Sequence, residues 1–178
     1  MPPYLFYLGV GTYDSYQKEL EYPDGAKIML EMLVPVGTDG ERANQALDVL
    51  HDCVMWVYLF TGPDTYKNKE KSKKIWELLK KRDETGAREQ IKELIEGMRL
   101  GYKYTAKVYR EIGMQNSDYG GMENVGNTTI TTNRMLPFTQ MTDPSFEYMI
   151  GVKVHEYYHN LNGSEVTGWS PFEIWLNE

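Results

Sequence analysis

The feature that most constrains this chain is a predicted helix near its C-terminal end that carries two histidines on one face. Asp143 and Pro144 predict where the helix begins, because aspartate accepts hydrogen bonds from the first free amides and proline fits the first helical position. Gly163 predicts where the helix ends. His155 and His159 are four positions apart, and residues four apart lie on the same face of a helix. The two imidazoles are therefore expected to point the same way.

The sequence between the histidines adds an acidic group, because residues 155–159 read His-Glu-Tyr-Tyr-His. Two imidazoles at this spacing can converge on one tetrahedral zinc ion at about 2.0 to 2.1 Å. Glu156 lies about 100° around the helix from His155. That offset lets its carboxylate reach a water molecule without binding the metal, as a general base must. The pattern therefore predicts a zinc site at His155 and His159, with Glu156 as the base.

A zinc site of this kind needs a third protein ligand, and residues 170–173 (Ser-Pro-Phe-Glu) predict a second helix downstream. They have the form of a capping box with proline at the first helical position. The loop between the helices, residues 162–169, is short enough to fold them against each other. Glu178, two turns into the second helix, is then expected beside the histidines, and 18 residues separate it from His159. Residues 143–178 are thus predicted to form a metal-binding helix pair.

Composition limits what else the chain can bind. The one cysteine, Cys53, cannot form an internal disulfide or a multi-cysteine zinc cluster, so histidine and carboxylate must hold any metal. A net charge of −7 is unfavourable for contact with nucleic acid or anionic lipid. No apolar run reaches the roughly 20 residues that cross a bilayer, and residues 1–13 lack the basic start of a secretory signal. We expect no nucleic-acid partner, no membrane segment and a cytoplasmic location, with the oligomeric state left open.

The remainder of the chain predicts a small sheet packed with helices. Tyr4–Val10 and Lys27–Val34 are apolar, β-compatible runs. Apolar residues at spacings of three and four predict an amphipathic helix over residues 41–60. Further strands are expected over Tyr104–Ile112 and Thr128–Thr132, on either side of a glycine-rich bend. On the histidine helix, five residues are expected to face the core on the other side, namely Phe146, Ile150, Val154, Tyr157 and Leu161.

Residues 66–100 differ from the rest of the chain because they are dense in lysine and glutamate. Two narrow apolar stripes on either side of residues 83–86 predict a helical hairpin with a solvated outer face. Acidic residues are interleaved with the lysines, which favours an ordinary helix surface over a binding patch. We expect this hairpin to take no part in the chemistry.

Three motifs in order give the chain a family resemblance: GGMEN at 120–124, HEYYH at 155–159 and WLNE at 175–178. Together they resemble the aminopeptidase N family of zinc exopeptidases, which carries a G-x-M-E-N motif, a downstream H-E-x-x-H and a third zinc ligand in a W-L-N-E-G segment. The spacing from His159 to Glu178 is that of the gluzincins. The Tyr-Leu-Phe at residues 4–6 also resembles the opening of the family's catalytic domain. The resemblance covers nearly the whole chain except residues 66–100, which look like an insertion.

The resemblance implies a fold, a cofactor and a role for each site residue. It implies a mixed α/β (α+β) fold, the N-terminal sheet-plus-helix lobe of a thermolysin-like catalytic domain with a helical-hairpin insertion. It also implies one zinc ion and a peptide substrate with a free N-terminus. The implied roles are zinc ligation by His155, His159 and Glu178, general base catalysis by Glu156, binding of the substrate α-amine by Glu123, and contact with the substrate backbone at Gly120 and Gly121.

The role implied for Glu123 agrees with the chemistry of chain ends. An α-amine with a pKa of about 7.7 to 8.0 is largely cationic at neutral pH, so a carboxylate near the metal selects chain ends over chain interiors. Without that anion, the same zinc site would describe a thermolysin-type endopeptidase. A non-catalytic relative that uses the fold as a binding domain is the other alternative, against which the intact motif residues argue.

The chain also departs from the family pattern. The family has a β domain before its catalytic domain, a helical domain after it, and a tyrosine downstream of the third ligand that stabilises the tetrahedral intermediate. None of these is in the 178 residues, and the second helix ends at the ligand itself. We therefore expect a partial catalytic domain that, on its own, binds zinc with reduced affinity and has little peptidase activity.

Overall fold

A computed structural model of the chain describes residues 13–61, 65–83, 85–90, 101–117 and 120–178. The chain divides into two compact units. The first takes in residues 1–21, 27–54 and 104–178, and the second takes in residues 22–26 and 55–103. All of the predicted site residues belong to the first unit.

The first unit contains a five-stranded mixed sheet. Its strands, in chain order, are β1 (Tyr13–Glu21), β2 (Lys27–Pro35), β3 (Val108–Met114), β4 (Gly121–Met122) and β5 (Asn127–Thr131). In space their order is β1-β2-β3-β5-β4. The two outer pairs, β1 with β2 and β4 with β5, are antiparallel, whereas β3 runs parallel to both β2 and β5. Among the described strands, β4 is therefore an edge strand, and an edge strand leaves one row of its backbone groups unpaired.

The strand predictions are partly confirmed. β2 matches its apolar run, and alternate residues from Ile28 to Val34 are buried, as the period of two in a strand requires. β5 also matches. The strand expected from Tyr104 begins only at Val108, which is a correction, because residues 106–107 form a bend. β1 was not predicted, and the strand predicted over Tyr4–Val10 lies outside the described residues.

Helices complete the first unit. They are α1 (Gly40–Phe60, of which the last turns belong to the second unit), α3 (Thr132–Met135), α4 (Asp143–Tyr158) and α5 (Ile174–Asn177), and a 3₁₀ turn at Pro171–Glu173 precedes α5. α1 confirms the predicted amphipathic helix. Its residues at spacings of three and four, from Ala43 through Leu47 and Leu50 to Val54, are buried. A mixed α/β arrangement is thus what the chain adopts.

The second unit shows the first arm of the predicted helical hairpin. α2 (Thr65–Lys80) is that arm, and residues 85–90 are helical again. Between them, the Asp83 carboxylate accepts a hydrogen bond from the Gly86 N–H at 2.9 Å, which caps the second helix. Residues 91–100 of the predicted hairpin lie outside the described residues. Within the described parts of the chain, no helix is both long and apolar enough to cross a bilayer.

The histidine helix α4 buries a face that is rotated from the predicted one, and the predicted core residues Ile150, Val154 and Leu161 are half-buried. It contacts α3, β4 and β5, and its buried residues are Met149, Lys153, Glu156 and Tyr157. Tyr157 was predicted correctly, and its ring meets Tyr109 edge to face at 5.1 Å between centroids. Phe146 is 38% exposed, so its assignment to the core was wrong.

The reason for this error is a buried ion pair. Lys153 Nζ donates to Glu111 Oε2 at 2.6 Å, and both side chains are fully buried. Hydrophobic periodicity counts only apolar residues, so it leaves a buried lysine out of the predicted core face. The predicted face of α4 is therefore rotated away from the face that is buried in the structure. Because breaking a buried pair leaves an uncompensated charge, this pair ties α4 to β3 at a fixed register.

Candidate metal centre

The end of α4 presents the two histidines. Its N-cap is Thr142 rather than the predicted Asp143, and no side-chain cap is formed there. The helix ends at Tyr158 instead of continuing to residue 163. His159 is the C-cap and keeps helical dihedral angles, and its N–H donates to the His155 carbonyl at 3.2 Å. The spacing of one helical turn between the imidazoles is therefore preserved.

Two imidazole nitrogens and one carboxylate oxygen lie close together beyond this helix end. His155 Nε2 lies 3.0 Å from His159 Nε2, and Glu178 Oε2 lies 3.3 Å from the first and 3.7 Å from the second. Ligands placed 2.0 to 2.2 Å from a tetrahedral zinc ion lie about 3.3 to 3.6 Å from one another. The donor set and its spacing therefore fit a zinc ion, with two imidazoles and one carboxylate as protein ligands.

A backbone carbonyl orients one of these imidazoles. His159 Nδ1 lies 2.9 Å from the Asn162 carbonyl oxygen, which can only accept a hydrogen bond. In the neutral ring the proton is then on Nδ1, so Nε2 directs its lone pair toward His155 and Glu178. Ligating histidines in metal sites are commonly fixed in this way. His159 is buried, whereas the His155 side chain is 44% exposed.

Glu178 is delivered by a short segment rather than by the regular helix expected from residue 170. The Glu173 carboxylate accepts from the Ser170 N–H at 3.2 Å, as in a capping box, and a 3₁₀ turn and the four residues of α5 follow. The predicted juxtaposition with the histidines occurs all the same, because the chain reverses tightly after α4.

Gly163 makes this reversal possible. Its φ of +116° is a conformation that side chains disfavour. A Cβ there would lie 2.5 Å from Asn177 Oδ1 and 3.1 Å from His159 Nδ1. Glycine therefore lets the histidine ring and the segment before Glu178 approach each other across the turn.

Glu156 faces the interior beside the donor triad. Only 5% of its surface is exposed, and its Oε2 has no hydrogen-bond partner among the described residues. Burial raises the pKa of its carboxyl to about 7; the His159 ring opposes this shift, and the carboxylates of Glu123, Glu178 and Glu111 add to it. A carboxyl group with a pKa near the working pH can both take up and release a proton, as acid–base catalysis requires.

The raised pKa of Glu156 predicts how the stability of the metal-free protein depends on pH. Below pH 4.5 the carboxyl is protonated in the folded and the unfolded state, and its burial carries no charge penalty. As the pH rises from 4.5 through about 7, the unfolded state loses the proton first, so the folded state loses about 2 to 3 kcal/mol relative to Glu156→Gln. Denaturant unfolding of both proteins between pH 4 and 8, in a chelating buffer, measures this difference. A constant difference across that range would contradict it.

Glu123 lies on the His159 side of the centre. One of its carboxylate oxygens lies within 4.8 Å of donor atoms of both Glu156 and His159. It follows β4, whose Gly121 lies so close to the Glu156 carboxylate that a Cβ there would require the glutamate to move. At Gly120, by contrast, a Cβ would make only an ordinary contact, at 3.9 Å from Val152. The structure therefore brings all of the predicted site residues to one region.

A cleft of about 690 Å³ runs along α4 beside the centre. It is lined by Gly120, Gly121, Pro144, Glu147, Tyr148, Gly151, Val152, His155 and Glu156. Sequence reasoning missed Glu147, Tyr148 and Gly151 as cleft residues. Their signal was available, because they precede His155 by eight, seven and four positions and so share its face of the helix. The Arg134 guanidinium stacks on the Tyr148 ring at 4.1 Å from its centroid.

Comparisons with known proteins agree with this arrangement. A model of the peptidase family M1 domain matches residues 85–178. Aminopeptidase N of Caulobacter vibrioides is 24% identical, and that of Escherichia coli 25% identical, over alignments that span 99% of this chain. The chain spans only 16% of the length of either relative.

A solved structure shares the fold. The crystal structure of Legionella pneumophila aminopeptidase A in complex with aspartic acid matches with a TM-score of 0.63 at 16% sequence identity. The match covers 94% of this chain and 15% of the other. At this level of identity the likeness concerns the fold alone, and it confirms the sheet-plus-helix lobe predicted from the sequence.

Proposed function

This chain belongs to peptidase family M1, and from that membership and the convergence of His155, His159 and Glu178 we propose that the protein is a zinc-dependent aminopeptidase. It removes the N-terminal residue from peptides by adding water to the first peptide bond. Residues 1–178 form part of the catalytic domain in this proposal, with residues 66–100 as an insertion and residues 143–178 as the metal-binding helix pair.

The observation that carries the proposal is the meeting of two imidazole nitrogens and one carboxylate oxygen, 3.0 to 3.7 Å apart, near the spacing of tetrahedral ligands. This donor set is typical of catalytic zinc with a fourth position open. When bound there, zinc supplies Lewis acidity toward a carbonyl oxygen and lowers the pKa of water.

Glu156 is the general base in this proposal. Its buried carboxylate accepts a proton from the attacking water and then donates it to the nitrogen of the leaving peptide. In the metal-free protein, burial raises the pKa of this carboxyl to about 7, which favours uptake of the proton. The backbone of β4 at Gly120 and Gly121 supports the substrate chain at the sheet edge, where free hydrogen-bonding groups are available to an extended peptide.

Glu123 recognises the substrate α-amine. One of its carboxylate oxygens lies within 4.8 Å of donor atoms of Glu156 and His159, so an amine that it binds is held beside the metal centre by opposite charge. The cleft along α4, which Glu147 and Tyr148 help to line, receives the rest of the peptide. A free N-terminus is selected because its charged amine pairs with Glu123, whereas a chain interior offers no such charge.

Substrates with free and acetylated amines test this assignment. For the intact wild-type protein, of which residues 1–178 are a part, we expect hydrolysis of a free aminoacyl-anilide and no detectable hydrolysis of its N-acetyl form; residues 1–178 alone are expected to hydrolyse the free aminoacyl-anilide only weakly. Glu123→Gln is expected to raise KM for the free amine by about 10-fold or more, since a hydrogen bond to a charged group contributes about 1.5 to 3 kcal/mol. The exposed Glu89→Gln is the matched control, and it leaves KM unchanged.

The same assay separates the alternatives. Equal cleavage of free and acetylated substrates, or a peptide cut only in its interior, would identify an endopeptidase. A zinc-loaded protein that cleaves neither substrate would be a binding relative of the family. Either result would overturn the aminopeptidase proposal.

A further inference from the structure

We propose that Asn162 is a positioning residue that holds the second-helix ligand, Glu178, against the histidine pair through its side-chain amide. The inference rests on the zinc site proposed above and adds a residue that the family motifs do not contain. Asn162 lies three residues beyond His159 in the tight turn after α4 and joins the two segments that supply the metal ligands.

The position of Asn162 is fixed by the helix end. Its backbone N–H donates to the Tyr158 carbonyl at 3.0 Å, and its carbonyl faces His159 Nδ1 at 2.9 Å. The backbone of this one residue is therefore anchored to α4 and orients one ligand imidazole. Any residue other than proline could make these two backbone contacts.

The side chain of Asn162 does something that its backbone cannot. Its Nδ2 lies 2.9 Å from the Leu176 carbonyl and 3.3 Å from the Asn177 carbonyl. These are the two residues immediately before Glu178. The amide therefore holds the backbone from which the carboxylate ligand extends.

Little else in the described chain holds α5 in place. None of its four residues is buried, and Ile174, Trp175 and Leu176 are 60%, 71% and 49% exposed. Among the described residues, apolar packing thus contributes little to the position of α5. The two amide contacts of Asn162 tie the histidine turn to the backbone that carries the carboxylate ligand.

A double-mutant cycle on zinc affinity tests this link. The intact protein, stripped of metal, is titrated with Zn²⁺ against a chelator of known affinity, for wild type, Asn162→Ala, Glu178→Ala and the double variant. Asn162→Ala is expected to weaken zinc binding by about 10- to 100-fold, the usual effect of losing a partner that orients a ligand. In the Glu178→Ala background the same change is expected to cost less than about twofold, because the ligand it positions is gone. Ser164→Ala, in the same turn, is the control and leaves the affinity unchanged.

The outcomes separate this proposal from the zinc site itself. If Glu178→Ala binds zinc as tightly as the wild type, the ligand assignment fails. If Glu178→Ala weakens zinc binding and Asn162→Ala does not, only the positioning role is overturned. The same holds if Asn162→Ala lowers zinc affinity by the same factor in the wild-type and Glu178→Ala backgrounds. Asn162→Asp keeps the size of the side chain and replaces the donor with an acceptor, so it is expected to bind zinc more weakly than Asn162→Ala. If metal-free Asn162→Ala and metal-free Asn162→Asp both lose the circular dichroism spectrum of the folded protein, Asn162 is required for folding and the proposal is overturned.

Discussion

Replacing Glu156 with glutamine is expected to lower the rate of peptide hydrolysis by about 10²- to 10⁴-fold while zinc stays bound. Glutamine has nearly the same shape but cannot accept the proton of the attacking water. Because Glu156 is not among the three converging donors, the metal affinity depends on it only weakly. The loss should fall on kcat rather than on KM, since the carboxylate acts in the transition state.

Steady-state kinetics on a free aminoacyl-anilide, together with the zinc content of each preparation, measure this effect. Glu165→Gln, an exposed glutamate in the turn that follows the histidine helix, serves as the control and retains wild-type rates. A Glu156→Gln protein that keeps more than a tenth of the wild-type kcat with full zinc content would show that another group acts as the base.

Replacing His159 with alanine is expected to reduce zinc affinity by more than about 100-fold. Loss of a residue that only orients a ligand costs up to about 100-fold, and loss of the ligand itself should cost more. His159 is the buried imidazole, and its lone pair is set by the Asn162 carbonyl. Hydrolysis should fall with zinc occupancy and return only in part at high zinc concentration.

The third histidine of the chain provides the matched control. His51 lies in α1, and its Nδ1 is 3.3 Å from the exposed Asp52 carboxylate. His51→Ala is expected to leave zinc affinity and hydrolysis unchanged. Comparable zinc binding by His159→Ala and His51→Ala, measured by competition with a chelator, would mean that the metal is held elsewhere.

The site was predictable from the sequence because its geometry is local. The spacing of His155 and His159 needs only one turn of helix, and that turn survives even though α4 ends earlier than predicted. Glu178 was predictable because residues 162–169 leave the chain little freedom to separate it from the histidines. The motif at residues 120–124 supplied Glu123 only through its likeness to a family.

Parts of the fold that depend on distant contacts were not predictable. β1 has a polar sequence in which Leu20 is buried, because it is an outer strand held by backbone hydrogen bonds to β2. The burial of Lys153 depends on Glu111, which is 42 positions away. That pairing rotated the buried face of α4 away from Phe146, and no local pattern contains this information.

The cleft and the role of Asn162 were missed for different reasons. Glu147 and Tyr148 share a face with His155, so the periodicity that identified the ligands would also have identified them. Asn162 acts through backbone carbonyls at residues 176 and 177, whose positions follow from the tertiary structure. The cytoplasmic location expected from the single cysteine stays a prediction.

X-ray absorption at the zinc edge of the purified intact protein measures whether two imidazoles and one carboxylate hold a single zinc ion. We expect one zinc per chain, with two imidazole nitrogens at about 2.0 to 2.1 Å and oxygen as the remaining ligands. In His155→Ala we expect the contribution of one imidazole to be lost. A zinc shell that contains sulfur, or one with no imidazole contribution, would show that these residues do not hold the metal.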